Sequence, residues 1–520
     1  MTVAEALRSR LARSPAAALL LGAVTVAGFQ PFALFPLPLL TLALLLGQWQ
    51  RAPSARRRIA LGFAFGLGLF LAGVSWVYVS LHDFGAMPWP LAAFTTLLLC
   101  AYLALYPAVA GWAFGALPAS FAVRACLILP GCWTILEWSR GWLFTGFPWL
   151  ALGYSQIPAS PLAGFAPLLG IHGVTFATVA CAGSLAAIFH GGLAGRRRAA
   201  ALAGGTLVLL LVAGWVLKQA RWTVPTGEPV TVALLQGNIP QDLKWRPERL
   251  KTTLDTYLDR VSNTDARLIV LPETALPLFL KDVPPAYLLE LTEHARRNGG
   301  DVLVGLPETH ASQPGVYFNS VLSFGASPSQ VYRKRHLVPF GEFVPLKAWL
   351  GEVVAALAIP LTDFSRGAPD QPPLQVAGQR VGVNICYEDA FGDEIIRQLP
   401  AATLLVNVSN VAWFGRSIAP WQHLQISQAR ALETGRAVLR ATNTGMTAAI
   451  AADGTVVGMA VPFTGAVLRQ TVQGFSGATP YVRWGDVPAL GWAVAAVVLG
   501  IARRRRDGAG PPVASSRPSA

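Results

Sequence analysis

Charge is scarce in this chain. Only 13% of its 520 residues are charged, against about a quarter in a typical soluble protein, while 53% are hydrophobic. That balance excludes an ordinary water-soluble enzyme and points to a membrane protein. Acidic residues are almost missing from the first half: Glu5, Asp83 and Glu137 are the only ones before residue 218, and the other 24 follow. The chain therefore divides into an apolar part (1–219), a mixed domain (220–484), a short apolar segment (485–503) and a Gly, Pro and Ser-rich tail (504–520) that reads as disordered. Lysine is also rare, six against 35 arginines. Of five cysteines, Cys100, Cys126, Cys132 and Cys181 lie in apolar runs, and Cys386 alone sits in the mixed domain without a disulfide partner. No C-x-x-C, H-x-H or H-E-x-x-H spacing occurs and the seven histidines are scattered, so the sequence predicts no metal and no cofactor.

What is abundant is long apolar sequence. Runs near 15–30, 32–48, 59–81, 89–116, 120–139, 162–190, 199–217 and 486–502 each approach the ~20 residues that cross a hydrocarbon core. The first two are short and share the break Gln30-Pro31, and the first lacks a convincing cleavage site, so it is expected to stay as a span. Arginines cluster at 8, 10 and 13, at 51 and 56–58, at 124, at 196–198 and at 503–506. With eight spans, seven before the mixed domain and one after, every cluster falls on one side, which should be the cytoplasm. The mixed domain is then expected outside it. The net charge of +14 is mostly this orientation signal, since no basic stripe interleaved with aromatics suggests nucleic acid.

Within the mixed domain, short buried-strand patterns alternate with helical ones, predicting a mixed sheet covered by helices. Strands are expected at 231–235, 268–271, 302–305, 319–324, 331–333, before Cys386 and at 404–408, with a final hairpin of 446–450 and 455–459. The stretch Val-Gly-Val-Asn-Ile-Cys-Tyr-Glu (381–388) runs a strand straight into a cysteine and a carboxylate, a setting that projects a nucleophile from a rigid sheet. Glu273 ends another strand, in Leu-Pro-Glu, and Lys334 follows 331–333. Singly, each has a plain alternative: a solvated carboxylate, a charged surface turn, a packed thiol. Together they supply a base, a cation and a nucleophile, the set that thiol acyl chemistry needs.

The motifs around these residues are longer than a triad. They are Gln-Gly-Asn-Ile-Pro-Gln-Asp-Leu-Lys-Trp (236–245), Leu-Pro-Glu-Thr-Ala (271–275), Lys-Arg-His-Leu-Val-Pro-Phe-Gly-Glu-Phe-Val-Pro (334–345) and Ile-Cys-Tyr-Glu (385–388). Trp-Phe-Gly (413–415), Pro-Trp-Gln-His (420–423) and, in the apolar half, Gly-Trp-Leu-Phe-Thr-Gly-Phe-Pro-Trp (141–149) complete the set. With these, the mixed domain resembles the nitrilase superfamily, and nearly the whole chain resembles its membrane-integrated branch, the apolipoprotein N-acyltransferases. The resemblance implies an α-helical membrane domain of eight spans joined to an α-β-β-α sandwich, in a bacterial inner membrane with the catalytic domain in the periplasm. It implies Glu273 as general base, Lys334 as oxyanion and thiolate stabiliser and Cys386 as nucleophile. Glu342 is expected to hold Lys334, the Tyr387 N–H to face the oxyanion, and Glu388 to orient loops. Trp245, Trp413 and Phe414 are expected at the substrate entrance, although Trp245 reads equally as an interface anchor. One departure stands out: Val411 occupies a position where the family usually has Asp, which suggests a loop-shaping role.

The implied reaction moves an sn-1 acyl chain from a phospholipid, preferably phosphatidylethanolamine, through a Cys386 thioester to the amino group of a diacylglyceryl apolipoprotein. The apolar run 353–361 is expected to be a membrane-touching lid. Two alternatives are a membrane-tethered amidase that uses water as second nucleophile, and a transporter with an inactive nitrilase-like domain. The second wants ionisable residues within spans, where only Asp83 and Glu137 are near.

Overall fold

The structure is a computed structural model and describes residues 14–117, 119–190, 196–344 and 363–507. The expected lid at 353–361 and nearly all of the expected disordered tail lie outside these. So does the first arginine cluster.

The apolar half folds as helices α1 (Pro15–Thr25), α2 (Pro36–Arg51), α3 (Ala55–Val74), α4 (Trp89–Ala116), α5 (Phe121–Arg140), α6 (Ala166–His190) and α7 (Arg196–Lys218). Their starts follow local chemistry: the Ser14 and Ser54 hydroxyls accept from Ala17 and Arg57 N–H groups, and proline occupies the first turn of α1 and α2. Among the described residues, five helices are long and apolar enough to cross a membrane: Ala55–Val74, Trp89–Ala116, Phe121–Arg140, Pro161–Phe189 and Arg198–Lys218. Pro15–Gly28 and Val487–Ala502 are shorter apolar helices. Helices α1 and α3 cross closely, because a Cβ on Gly22 or Gly68 would strike the backbone carbonyl of Phe65 or Leu19. Small residues allow this approach where lipid supplies no hydrophobic drive.

The mixed domain holds two six-stranded sheets. In the first, β1 (Thr223–Gln236), β2 (Leu268–Val270) and β3 (Asp301–Thr309) are parallel, and β4 (Tyr317–Gly325) and β5 (Val331–Arg333) add antiparallel. In the second, β7 (Gln379–Ile385), β8 (Leu404–Ser409) and β9 (Val438–Thr442) are parallel. They are flanked by antiparallel β6 (Leu374–Val376) on one side and β10 (Ala448–Ile450) with β11 (Val456–Met459) on the other. The last strand, β12 (Ala466–Gly477), returns to pair with β1 at the edge of the first sheet.

Side-chain alternation explains the layers. Val230, Val232 and Leu234 face Val383, Ile385, Val406 and Val408 in one core between the sheets. Their neighbours Ala233 and Leu235 pack outward on helices α8 (Pro247–Ser262) and α9 (Pro285–Arg297). On the second sheet, Leu405 and Val438 meet Leu424 and Ala431 of α10 (Ala419–Thr434). Helix α10 is buried at every residue except Trp421, because Ile426, Ala429 and Leu432 pack into the apolar core of the membrane helices. Helix α11 (Val487–Asp507) is the last described element.

The single mixed sheet read from residue patterns is thus two sheets. Three strands escape that reading: the edge strands β6 and β12, and β9, whose short run is broken by Arg440. The two edge strands alternate with polar residues such as Gln375, Arg469 and Gln473, so neither shows an uninterrupted apolar run.

Candidate active site

Three loops leave the carboxyl ends of strands on one side of the sandwich. Glu273 follows β2 by three residues, Lys334 follows β5 directly, and Cys386 follows β7. The first of these turns is packed tightly: a Cβ on Gly305 would collide with the Pro272 carbonyl and approach the Thr274 nitrogen to 2.8 Å. Cys386 itself has φ = 54°, a left-handed conformation that costs a non-glycine residue about 1–3 kcal/mol. Two donors fix its carbonyl, Asn407 Nδ2 and His423 Nε2, each at 3.2 Å.

The structure brings Glu273, Lys334 and Glu342 into direct contact. Lys334, buried, places Nζ 3.3 Å from Glu273 Oε1 and 3.0 and 2.9 Å from the two Glu342 oxygens. Asn319 Nδ2 donates to both carboxylates, at 2.8 Å to Glu273 and 3.1 Å to Glu342, and the Asn410 N–H donates to Glu273 Oε2 at 2.8 Å. The Cys386 thiol interacts electrostatically with all three.

The electrostatics set the resting protonation. Burial pushes the Cys386 thiol up to about 12, and the Glu273 carboxylate adds to the rise while Lys334 opposes it. Burial would also raise Glu273, but Lys334, Asn319, Lys244 and the Asn410 N–H together hold it below the usual carboxylate range. Burial works against the Lys334 ammonium, and Glu342 and Glu273 outweigh it, so Lys334 stays protonated. The site at rest holds a neutral thiol, a carboxylate and an ammonium, an arrangement suited to general-base activation and not to a preformed thiolate.

Glu388 ties two of these loops together. Its Oε2 accepts from Ile385 N at 2.7 Å and Tyr332 Oη at 3.0 Å, and its Oε1 from Arg335 N at 2.7 Å and His336 N at 3.1 Å. Burial nonetheless raises it to about 7, against the pull of those N–H groups. Tyr387 reaches the other way: its hydroxyl donates to the Gly146 carbonyl at 2.9 Å, and its ring stacks near Trp149. His336 Nε2 meets the Thr145 carbonyl at 3.0 Å. The 141–149 loop of the membrane half is therefore bonded to residues on both sides of the cysteine. Of the expected entrance residues, Trp245 and Trp413 are exposed, at 55% and 38%, and the Trp413 ring lies edge-on to Phe84. Phe414 instead packs on Trp76, so it joins the two halves. Val411 is buried close to Gly445.

Residues 21–184 match the apolipoprotein N-acyltransferase N-terminal domain, and residues 231–481 match the carbon-nitrogen hydrolase family. The chain is 55% identical to the apolipoprotein N-acyltransferase of Nitrosomonas europaea, over 90% of this chain and 93% of that protein. It belongs to the apolipoprotein N-acyltransferase family. Enzymes of the same name from Chromobacterium violaceum and Ralstonia nicotianae are 49% and 45% identical, over 91% and 97% of this chain and 90% and 97% of theirs.

Set against that family, reading from residues missed several members of the cluster. Lys244 and His423 lie inside quoted motifs, yet nothing in a linear pattern says that a lysine turns inward. Asn319, Asn407 and Asn410 look like ordinary strand and loop amides. Asp389 and Arg440, paired at 3.2 Å beneath the cysteine turn, are 51 residues apart.

Proposed function

We propose that this chain transfers an acyl group from a phospholipid, phosphatidylethanolamine by preference, to the N-terminal amine of a diacylglyceryl apolipoprotein through a thioester on Cys386. The observation that carries the reading is a thiol, a carboxylate and an ammonium at strand ends bonded to a membrane-half loop. Family membership supports the acyltransferase activity, and the apolar helices support a membrane setting.

In the first step Glu273 takes the thiol proton and the sulfur attacks the sn-1 ester carbonyl. The oxyanion is met by Lys334 and the Tyr387 N–H. The tetrahedral adduct collapses, Glu273 returns the proton to the departing alkoxide, and lysophospholipid leaves. In the second step a neutral α-amine attacks the thioester, Glu273 accepts its proton, and the thiol is restored as the amide forms. Glu342 and Asn319 keep Lys334 and Glu273 in place, and Glu388 holds the cysteine turn against the lysine loop.

The proposed topology has seven spans in 1–219, the catalytic domain (220–484) in the periplasm, an eighth span at 485–503 and a cytoplasmic tail (504–520). Trp245 and Trp413, together with the exposed Trp142 and Phe144 of the 141–149 loop, would guide acyl chains from the outer leaflet to the thiol. The test is intact mass of Cys386 after incubation with phosphatidylethanolamine. One acyl mass should appear, leave on adding a diacylglyceryl peptide, and be missing in folded Cys386→Ala. Continued N-acylation by that variant would remove the assignment.

A further inference from the structure

Lys244 and Trp245 are arranged inside out. In the turn of 241–245 the tryptophan is 55% exposed and the lysine only 3%. Burying an ammonium is unfavourable unless something charged or strongly polar receives it, and exposing tryptophan forgoes a large apolar burial. The turn resists both preferences together, so the position of Lys244 needs a reason beyond packing. Its Nζ donates to the backbone carbonyl of Glu273 at 3.2 Å. Lys334 takes the ion pairs with Glu273 and Glu342, and among the described residues Lys244 makes none. Its charge nevertheless interacts with the Glu273 carboxylate and with Cys386. Counting formal charges, Glu273, Glu342 and Lys334 leave the site one unit negative, Arg440 being balanced by its own partner Asp389, and this opposes forming a thiolate. Lys244 brings it to neutral.

We propose that Lys244 is a positioning residue of the acyl-transfer site: it anchors the Glu273 turn through the backbone and supplies the second positive charge that lets Cys386 give up its proton. This deepens the thioester reading above and rests on it. The thiol proton still goes to Glu273; Lys244 keeps its own protons, and nothing is oxidised or reduced. Burial lowers Lys244 to about 8, against the attraction of Glu273 and Cys386. The charges acting on it are Glu273 and Cys386, and Lys334 pairs with Glu273 and Glu342 beside them. Its help to thiolate formation is present below about pH 8 and lost as pH rises through that value.

The experiment uses the full chain in detergent and follows single-turnover thioester formation with phosphatidylethanolamine from about pH 6 to about pH 9.5. The wild type should show a break near pH 8. Lys244→Met should be slower by about tenfold or more at pH 7, lack that break, and melt no lower than the wild type, since it loses a desolvated charge. Lys244→Arg keeps a charge through this range and should retain most of the rate while moving the break above about pH 9. A Lys244→Met rate within about twofold of wild type, with the break intact, overturns the proposal. Should Lys244→Met not fold, Lys244→Arg decides alone, and a break that stays near pH 8 refutes the role. Absence of any thioester in the wild type would instead sink the reaction on which the proposal rests.

Discussion

Arg440→Met should be among the most damaging substitutions outside the triad. Arg440 is fully buried, with Nη1 3.2 Å from Asp389 Oδ2, 2.7 Å from Asn407 Oδ1 and 3.0 Å from Ser427 Oγ. Methionine fills much of the volume but leaves the Asp389 carboxylate buried without its cation. Breaking a buried pair from one side costs about 3–5 kcal/mol, a large fraction of the 5–15 kcal/mol that typically holds a domain together. For a sandwich of this size that is a fall in Tm of roughly 10 °C. The damage reaches the thiol, because Asn407 and His423, which hold the Cys386 carbonyl, both touch this cluster: Asn407 bonds Arg440 and His423 Nε2 lies 3.7 Å from Asp389. Burial already raises Asp389, with Arg440 opposing the rise; without Arg440 it should rise further. A carboxyl whose folded value is raised favours the fold while protonated, and that contribution is lost as pH rises. The variant should therefore be less impaired at pH 5 than at pH 8. Thermal unfolding and thioester formation of Arg440→Met, Asp389→Asn and the double variant form a double-mutant cycle. The double variant should recover much of the lost Tm, since no lone charge remains. If Arg440→Met costs under about 1 kcal/mol, or the two losses simply add, the reasoning is wrong.

Two further outcomes follow from the same geometry. Glu388 is raised from 4.5 to about 7, so the folded state binds its proton more tightly than the unfolded chain. Stability should fall as pH rises from about 4.5 to about 7, and Glu388→Gln should flatten that slope in melting experiments across this range. Gly305→Ala should displace the Pro272–Thr274 turn that carries Glu273, slowing thioester formation about tenfold or more. Its Tm should change less than that of Arg440→Met, and an unchanged thioester rate would show that the turn tolerates the methyl group.

Much of this protein was legible in its linear order. Apolar run length depends only on local composition, so the helical character of the first half could be read without a fold. Glu273 and Cys386 each follow a strand visible as a short apolar run, Lys334 follows the short Val331–Arg333 strand, and their motifs were long enough to carry a family resemblance. What the chain order could not state was depth and adjacency. Lys244 beside Trp245 reads as an ordinary charged surface turn; only packing against the Glu273 turn shows that the lysine is the buried member. The edge strand β12 pairs with β1 across more than 200 residues, and its polar alternation makes sense only once one face is covered. Asp389, Arg440 and His423 become one cluster because parallel strands and α10 bring distant positions together. Periodicity is set by neighbours along the chain, whereas desolvation and charge balance are set by neighbours across it.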